Sequence, residues 1–326
     1  MPRKSSHRAE AGTDEASPAD WLRGRLTAPS EYVVASWVPR GFDGYAKILH
    51  PIAVGGMGSE VIRWSDVSRW SRVPLHATTE WYQVVLPELI PPLPKPWTSQ
   101  GPREGSLSQA DAEALVDDLS PFTTGTCYFA VWDGYGPIDM VETDQSKAPR
   151  SIQFFKLPWR DYELFEGPLL NANAFSLPGR DFQSPNLWWP EDHSWCVASE
   201  IDLPWTYVGG TRDLINRLLG DDRLEVLEVL PDDSISAGVA PWMKQRIDVA
   251  AEQVMDTGSA TMFFAVGEVD LKLESLGRRK SVLITRSTRE SGWAGSTRQI
   301  VTKRSDDPLE QVRFAIHRAV VALAQA

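Results

Sequence analysis

The sequence predicts an α+β protein, with mixed or antiparallel sheets and a few helices in two domains. The second domain is read as an αβββα unit. Three observations predict this. Short apolar runs recur between Gly, Pro, Asn and Asp residues, which is the spacing of strands and turns. Other segments carry an apolar stripe at helical spacing behind a capping residue. Charge and aromatic content both change near residue 231. Up to Pro231 there are 20 basic and 32 acidic residues, and from Asp232 onward 13 and 12. Thirteen of the 14 tryptophans precede residue 243. The expected organisation is therefore a tail over 1–30, an acidic, Trp-rich domain over 31–230, and a domain over 231–326 with a basic β-ribbon.

Composition bounds the class. A chain of 326 residues can bury two ordinary cores. At 42% hydrophobic and 24% charged residues it is not a disordered chain. No apolar run is long enough to span a bilayer. The first twenty residues lack the apolar core of a secretory signal, and two cysteines make no disulfide framework. The expectation is a cytoplasmic protein with reduced thiols and no membrane contact.

The elements follow in order. Residues 1–30 are polar at first and are expected to be disordered. "EYVVASWV" reads as a strand, and "PRGFDGYAKILHPIAV" as turn and strand. After "GGMGS", "EVIRWSDVSRW" reads as one or two helical turns with Ser65 as N-cap. "TEWYQVVL" is a short strand or helix. Six prolines between Pro87 and Pro102 remove backbone donors, so an extended connection is expected there. "LSQADAEALVDDL" is the clearest helix, capped by Ser108, with Leu115, Val116 and Leu119 as its stripe.

"TCYFAVWDGYG" is a strand ending in an Asp133-Gly134 turn. "SIQFFKL" and "YELFEG" are further strands. "NLWW" and "WCVASEIDL" flank "PEDHS" as a β-hairpin, with one face of each strand buried. Thr211 caps a helix "RDLINRLLG", whose buried face is Leu214, Ile215, Leu218 and Leu219. "RLEVLEVL" returns as a strand. Beyond Pro231 a helix is expected over about 241–255. "ATMFFAVGEVDLKLESL" reads as one alternating strand, with Val269, Leu271 and Leu273 on one side. Two more strands and a helix capped by Asp307 with Pro308 at its first position complete αβββα. Val312, Ile316, Ala319 and Leu323 are that helix's stripe.

Several constellations could carry chemistry. On a strand, Glu200 and Asp202 share a face, and close carboxylates can bind a divalent cation or divide acid–base roles. The other reading is a solvated strand face. His193 and Cys196, with His50 and Cys127, are zinc-ligand types, but no second close pair accompanies them. A cysteine in an apolar strand is otherwise a small hydrophobe. "VGGMGSE" lacks the third glycine of a dinucleotide fingerprint and the lysine of a P-loop. No metal and no cofactor is expected.

Between Arg278 and Arg304 lie eight basic residues, Arg278, Arg279, Lys280, Arg286, Arg289, Arg298, Lys303 and Arg304, against Glu290 alone. Such a ribbon could touch nucleic-acid phosphates. The αβββα order resembles a double-stranded-RNA-binding domain, which implies the same partner. That family carries lysines at the start of its last helix, where this chain has Asp306, Asp307 and Glu310. Tryptophan and tyrosine in "WDGYG" and "LPWTYVGG" have the composition of protein-recognition hot spots. Trp132, Tyr135, Trp205 and Tyr207, with Glu200 and Asp202, are the candidate partner-binding residues.

"VPRGFDGYAKILHP", "TCYFAVWDGYG" and "LWWPEDHSWCVASEIDLPWTYVGG" together resemble a group of uncharacterised proteins common in actinobacteria, over about residues 31–230. That resemblance implies no activity. The ending, with an acid-bearing strand, Gly-Gly, helix and strand, looks loosely like bacterial toxin-immunity proteins, including the SMI1/KNR4-like group. It implies a setting in bacterial conflict or antiphage defence and transfers no residues. The expected function is a non-enzymatic protein-binding module whose partner is basic. The alternatives are nucleic-acid binding through residues 278–304 and a metal-assisted enzyme using Glu200 and Asp202.

Overall fold

A computed structural model describes residues 17–54, 60–86, 101–140, 147–158, 160–178, 182–235, 241–264, 267–276, 279–288, 294–301 and 307–324. Among them the chain is α+β, with seven α-helices and antiparallel sheets. In chain order, α1 (Asp20–Arg23) precedes β1 (Gly44–Leu49), β2 (Ile52–Val54) and β3 (Glu60–Ile62). Then come α2 (Trp64–Ser71), α3 (Trp81–Val85), α4 (Gln109–Leu119), β4 (Cys127–Trp132) and β5 (Asp139–Met140). β6 (Arg150–Lys156), β7 (Asp161–Gly167), β8 (Phe175–Ser176), β9 (Leu187–Pro190), β10 (Cys196–Ala198) and β11 (Trp205–Gly210) follow. α5 (Arg212–Leu219) and β12 (Val226–Val229) complete the first unit. The second is α6 (Pro241–Thr257), β13 (Ser259–Phe263), β14 (Gly267–Leu276), β15 (Arg279–Thr288), β16 (Ala294–Val301) and α7 (Pro308–Ala324).

Eight strands form one antiparallel sheet in the order β12-β1-β11-β10-β9-β4-β7-β6. The β9–β10 hairpin is present, with Val197 opposite Trp188 and Ala198 opposite Leu187. Both of its faces are buried, where one was expected. Trp188, Trp195 and Val197 pack on one side with Leu115, Leu119, Leu214 and Leu218 of α4 and α5. Trp189, Cys196 and Ala198 pack on the other, with Leu22, Trp64 and Trp81. A sheet covered on both faces needs near-continuous apolar strands. This is why "LWW" and "WCVA" do not alternate with polar residues.

Local rules explain the helices. Ser108 Oγ accepts from Asp111 N at 3.0 Å and starts α4. Thr211 Oγ1 accepts from Leu214 N at 3.3 Å and starts α5. Leu214, Ile215 and Leu218 are buried as expected, whereas Leu219 is exposed. Arg217 Nε donates to Asp118 Oδ1 at 2.8 Å and ties α5 to α4. α2 starts two residues earlier than expected. Arg63 is its N-cap, and Asp66 Oδ2 accepts from Arg63 N at 2.9 Å. "EYVVASWV" forms 3-10 turns rather than a strand.

The expected tail is corrected from Ser17 onward. Leu22 and Ala19 are buried, and Trp21 stacks on His193 with centroids 4.3 Å apart. Residues 1–16 lie outside the described residues, as do the proline segment 87–100 and the glycine loop 55–59. The strands beside that loop, β2 and β3, pair as an antiparallel hairpin.

The second unit has four strands, not three. Residues 259–276 hold β13 and β14, which turn back on each other, so the order is αββββα. Val269, Leu271, Val282 and Ile284 face the stripe Val312, Ile316, Ala319 and Leu323 of α7. Asp307 Oδ1 accepts from Leu309 N at 2.9 Å ahead of that helix. The two units meet where the Tyr82 ring of α3 abuts His317 of α7, at 5.7 Å and near right angles.

Candidate functional site

Four of the six candidate partner-binding residues come together at one end of the eight-stranded sheet. Three turns build the place. Trp132 ends β4, and a 3-10 turn over Asp133–Tyr135 follows it. Arg160 closes the β6–β7 hairpin, its carbonyl accepting from Leu157 N at 2.9 Å. Glu200 and Asp202 lie in the turn between β10 and β11, closed by Leu203 N donating to Glu200 O at 3.0 Å. The two acids are therefore turn residues, not neighbours on one strand face as expected. Their environments differ accordingly. The Glu200 side chain is 6% exposed and that of Asp202 76%.

Arg160 organises the group. Its Nη2 lies 2.5 Å from Glu200 Oε1 and 2.7 Å from Asp202 Oδ2. Its guanidinium also sits 5.3 Å from the Trp132 ring centroid, and Trp132 meets Tyr135 edge-on at 5.1 Å. Burial raises the Glu200 carboxyl above its ordinary pKa, and Arg160 pulls the other way. Burial works to lower Arg160, but hydrogen bonds and charge from Glu200 and Asp202 hold it above its ordinary value.

Two glycines permit this packing. A Cβ on Gly134 would lie 2.1 Å from the Trp132 ring. Gly105 has φ +73°, and a Cβ there would lie 2.8 Å from Ile201 Cα, between the two acids. Asn186 fastens the turns from beneath. Its Oδ1 accepts from Trp132 N at 2.9 Å, and its Nδ2 donates to Ser199 O at 3.0 Å.

Trp205 and Tyr207 are corrected. Both are 2% exposed and lie in β11, inside the sheet. Pro204 does not release the chain, because β11 pairs with β1 from Trp205 opposite Leu49 to Gly210 opposite Gly44. Neither residue can meet a partner in this fold.

The zinc-type residues do not assemble. Cys127 packs on the α4–α5 side of the sheet and Cys196 on the opposite side. Burial raises both thiols, Cys127 to about 12. His50 Nδ1 lies 2.7 Å from Arg103 O and Nε2 2.8 Å from Thr206 Oγ1. Among the described residues no group of three or more His, Cys, Asp or Glu could hold a metal ion. Glu200 and Asp202 are bridged by Arg160, the opposite of a free cation site.

The basic ribbon is divided by the sheet. Arg286 lies opposite Val269 and Gly295 and shares the strand face of Val282 and Ile284, toward the helices. Burial lowers its pKa. Backbone register places Arg279 opposite Leu276, Lys280 opposite Val301 and Arg298 opposite Leu283. Arg278, Arg289, Lys303 and Arg304 lie outside the described residues. The face away from the helices carries Asp270, bonded by Thr261 at 2.7 Å, and Glu268, bonded by Ser287 at 3.1 Å. By backbone register that same face also carries Lys272, Arg279 and Arg298.

Another hollow lies away from this cluster. About 780 Å³ opens beside β6, between Asp20, Arg23 and Leu26 on one wall and Phe154, Phe155 and Lys156 on the other. No helix among the described residues is long and apolar enough to cross a membrane. In comparisons with known proteins the chain matches no family model, no curated protein and no solved structure.

Proposed function

We propose that the protein is a non-enzymatic protein-binding module, of the immunity-like kind, and that its partner contact is the Arg160-centred cluster. The convergence of Trp132, Tyr135, Glu200 and Asp202 around one arginine carries this reading. Half-buried aromatics beside an arginine and carboxylates make the composition of binding hot spots. The turns that hold them rest on a rigid sheet, which lowers the ordering cost of association. The neighbouring cavity beside Glu200 measures about 10 Å³, too small for a substrate. The partner is a basic protein. A net charge of −11 favours its capture, and Asp202 offers it an exposed carboxylate.

The test is parallel affinity capture from the source cells with the wild type, Trp132→Ala and Asp202→Arg. The reading expects one basic protein to be held by the wild type and lost by both variants. Loss should appear as at least a tenfold weaker Kd with the purified pair. Equal retention by all three would refute the site. Turnover of a small substrate that depends on Glu200 would refute the class.

A further inference from the structure

The cavity beside Glu200 sits at the end of a buried chain of hydrogen bonds whose directions can be worked out. His50 is 1% exposed, and burial lowers its pKa to about 4, so the ring is neutral at pH 7. Its Nδ1 faces the Arg103 carbonyl at 2.7 Å. A carbonyl only accepts, so the proton is on Nδ1 and Nε2 is an acceptor. Thr206 Oγ1, 2.8 Å from Nε2, must then donate to it. A hydroxyl has one proton, so in the 2.6 Å contact between Ser199 Oγ and Thr206 Oγ1, Ser199 donates. Ser199 is left with acceptor capacity only.

Ser199 lines the cavity with Tyr162, Asn186 and Glu200, inside a wall of Trp37, Leu157, Leu187 and Ala198. Asn186 is already engaged at both ends of its amide. Arg160 directs Nε and Nη2 to Glu200 Oε1, so Oε2 retains acceptor capacity. Tyr162 is 3% exposed and brings a phenol O–H, and its electrostatic neighbours are Glu200, Arg160 and Tyr135. The lining thus presents two acceptors, Ser199 and Glu200, and two donor groups, the Tyr162 hydroxyl and the Trp37 indole N–H. The volume is close to that of one water probe.

We infer that this cavity is a binding site for a single water molecule, which donates to Ser199 Oγ and to the Glu200 carboxylate and accepts from the Tyr162 hydroxyl. Two donated bonds and one accepted bond match the usual coordination of a buried water. The water closes a continuous chain from Arg103 O through His50, Thr206 and Ser199 to Glu200 and Arg160 at the surface. A cation such as ammonium fits less well, because it cannot accept from Tyr162.

Two measurements on the full chain test this. A crystal structure at about 1.2 Å, grown without ammonium, should show one ordered oxygen within about 2.6–3.2 Å of all three groups. Long-range ¹⁵N–¹H correlation spectra at pH 7 should show His50 protonated at Nδ1. No density in the cavity, density bonded to fewer than two of the groups, or a His50 proton on Nε2 would each overturn the assignment. Tyr162→Phe removes the hydroxyl donor and leaves the Trp37 indole N–H. In that variant the oxygen's occupancy should fall by half or more, and unchanged occupancy would remove Tyr162 from the site.

Discussion

The ammonium of Lys47 lies 3.8 Å from the centroid of the Trp205 ring, in the core of the eight-stranded sheet. The side chain is fully buried, and its Nζ donates to Ala77 O at 3.1 Å and Thr79 O at 2.8 Å. Lys47 thereby holds the loop before α3 against the sheet. Burial lowers its pKa to about 7, with Glu80 pulling weakly upward. The unfolded chain binds this proton up to about pH 10.4, the folded chain only up to about 7. Between those limits the unfolded state holds more protons, so stability rises with pH. Urea unfolding should show a gain of about 1.5 kcal/mol from pH 7 to 8.5. Lys47→Met should remove that slope. The two buried thiols act in the other direction as pH approaches their unfolded value of about 8.5, so the Lys47 contribution is the difference between wild type and Lys47→Met over the same range.

Trp205→Ala should be a stability variant. The ring is buried against Trp64 and Tyr207, and its loss exposes the Lys47 ammonium to a cavity. A cost of about 3–5 kcal/mol is expected, read as a lower midpoint in urea or heat. A change below about 1 kcal/mol, within the range of surface substitutions, would show that the ring is not in the core.

Arg160→Ala leaves Glu200 buried without its cation. The Glu200 pKa is already raised by burial, and the variant should raise it further. A carboxyl whose folded pKa exceeds the unfolded value costs stability as pH rises through the folded pKa. The gap between variant and wild type should therefore be small near pH 4 and reach about 2–3 kcal/mol at pH 7. Adding Glu200→Gln to the variant should recover most of the gap at pH 7. A gap independent of pH would mean that Arg160 acts through packing alone.

Val197→Asp places a carboxylate between Trp188 and Val208, at a residue with no exposed surface. The described side chains packed with Val197 in this core are apolar, so the charge is unpaired. The variant should lack a cooperative thermal transition by circular dichroism. A native-like transition would show that the β9–β10 hairpin tolerates a charge on the α4–α5 side.

The local elements were legible because their signals are local. Ser108, Thr211 and Asp307 each cap the helix that begins beside them, and "PEDHS" joins the two strands it separates. What escaped was decided by distant partners. The one-face expectation for the hairpin failed because α4 and α5 cover one side while α2, α3 and the segment after Ser17 cover the other. Trp205 and Tyr207 looked free behind Pro204, but β1 recruits them into the sheet. "WTYVGG" carries no charge, which was the available sign of burial. Arg160 gave no sign at all, since "LPWRDY" is an ordinary turn until Trp132, Glu200 and Asp202 arrive from elsewhere. Lys47 did leave one: a lone charge in "GYAKIL" sits where a buried strand has none.

The strand order also sets a timetable for synthesis. β1 is flanked in the sheet by β11 and β12, and among the described residues it has no strand partner earlier in the chain. A ribosome adding 5–20 residues per second releases β1 roughly 10–30 s before either neighbour exists. During that interval Tyr45, Ile48 and Leu49 have no sheet to join, while β4, β7 and β6 can already pair among themselves. The nascent chain therefore carries an unclaimed strand through about half of its translation.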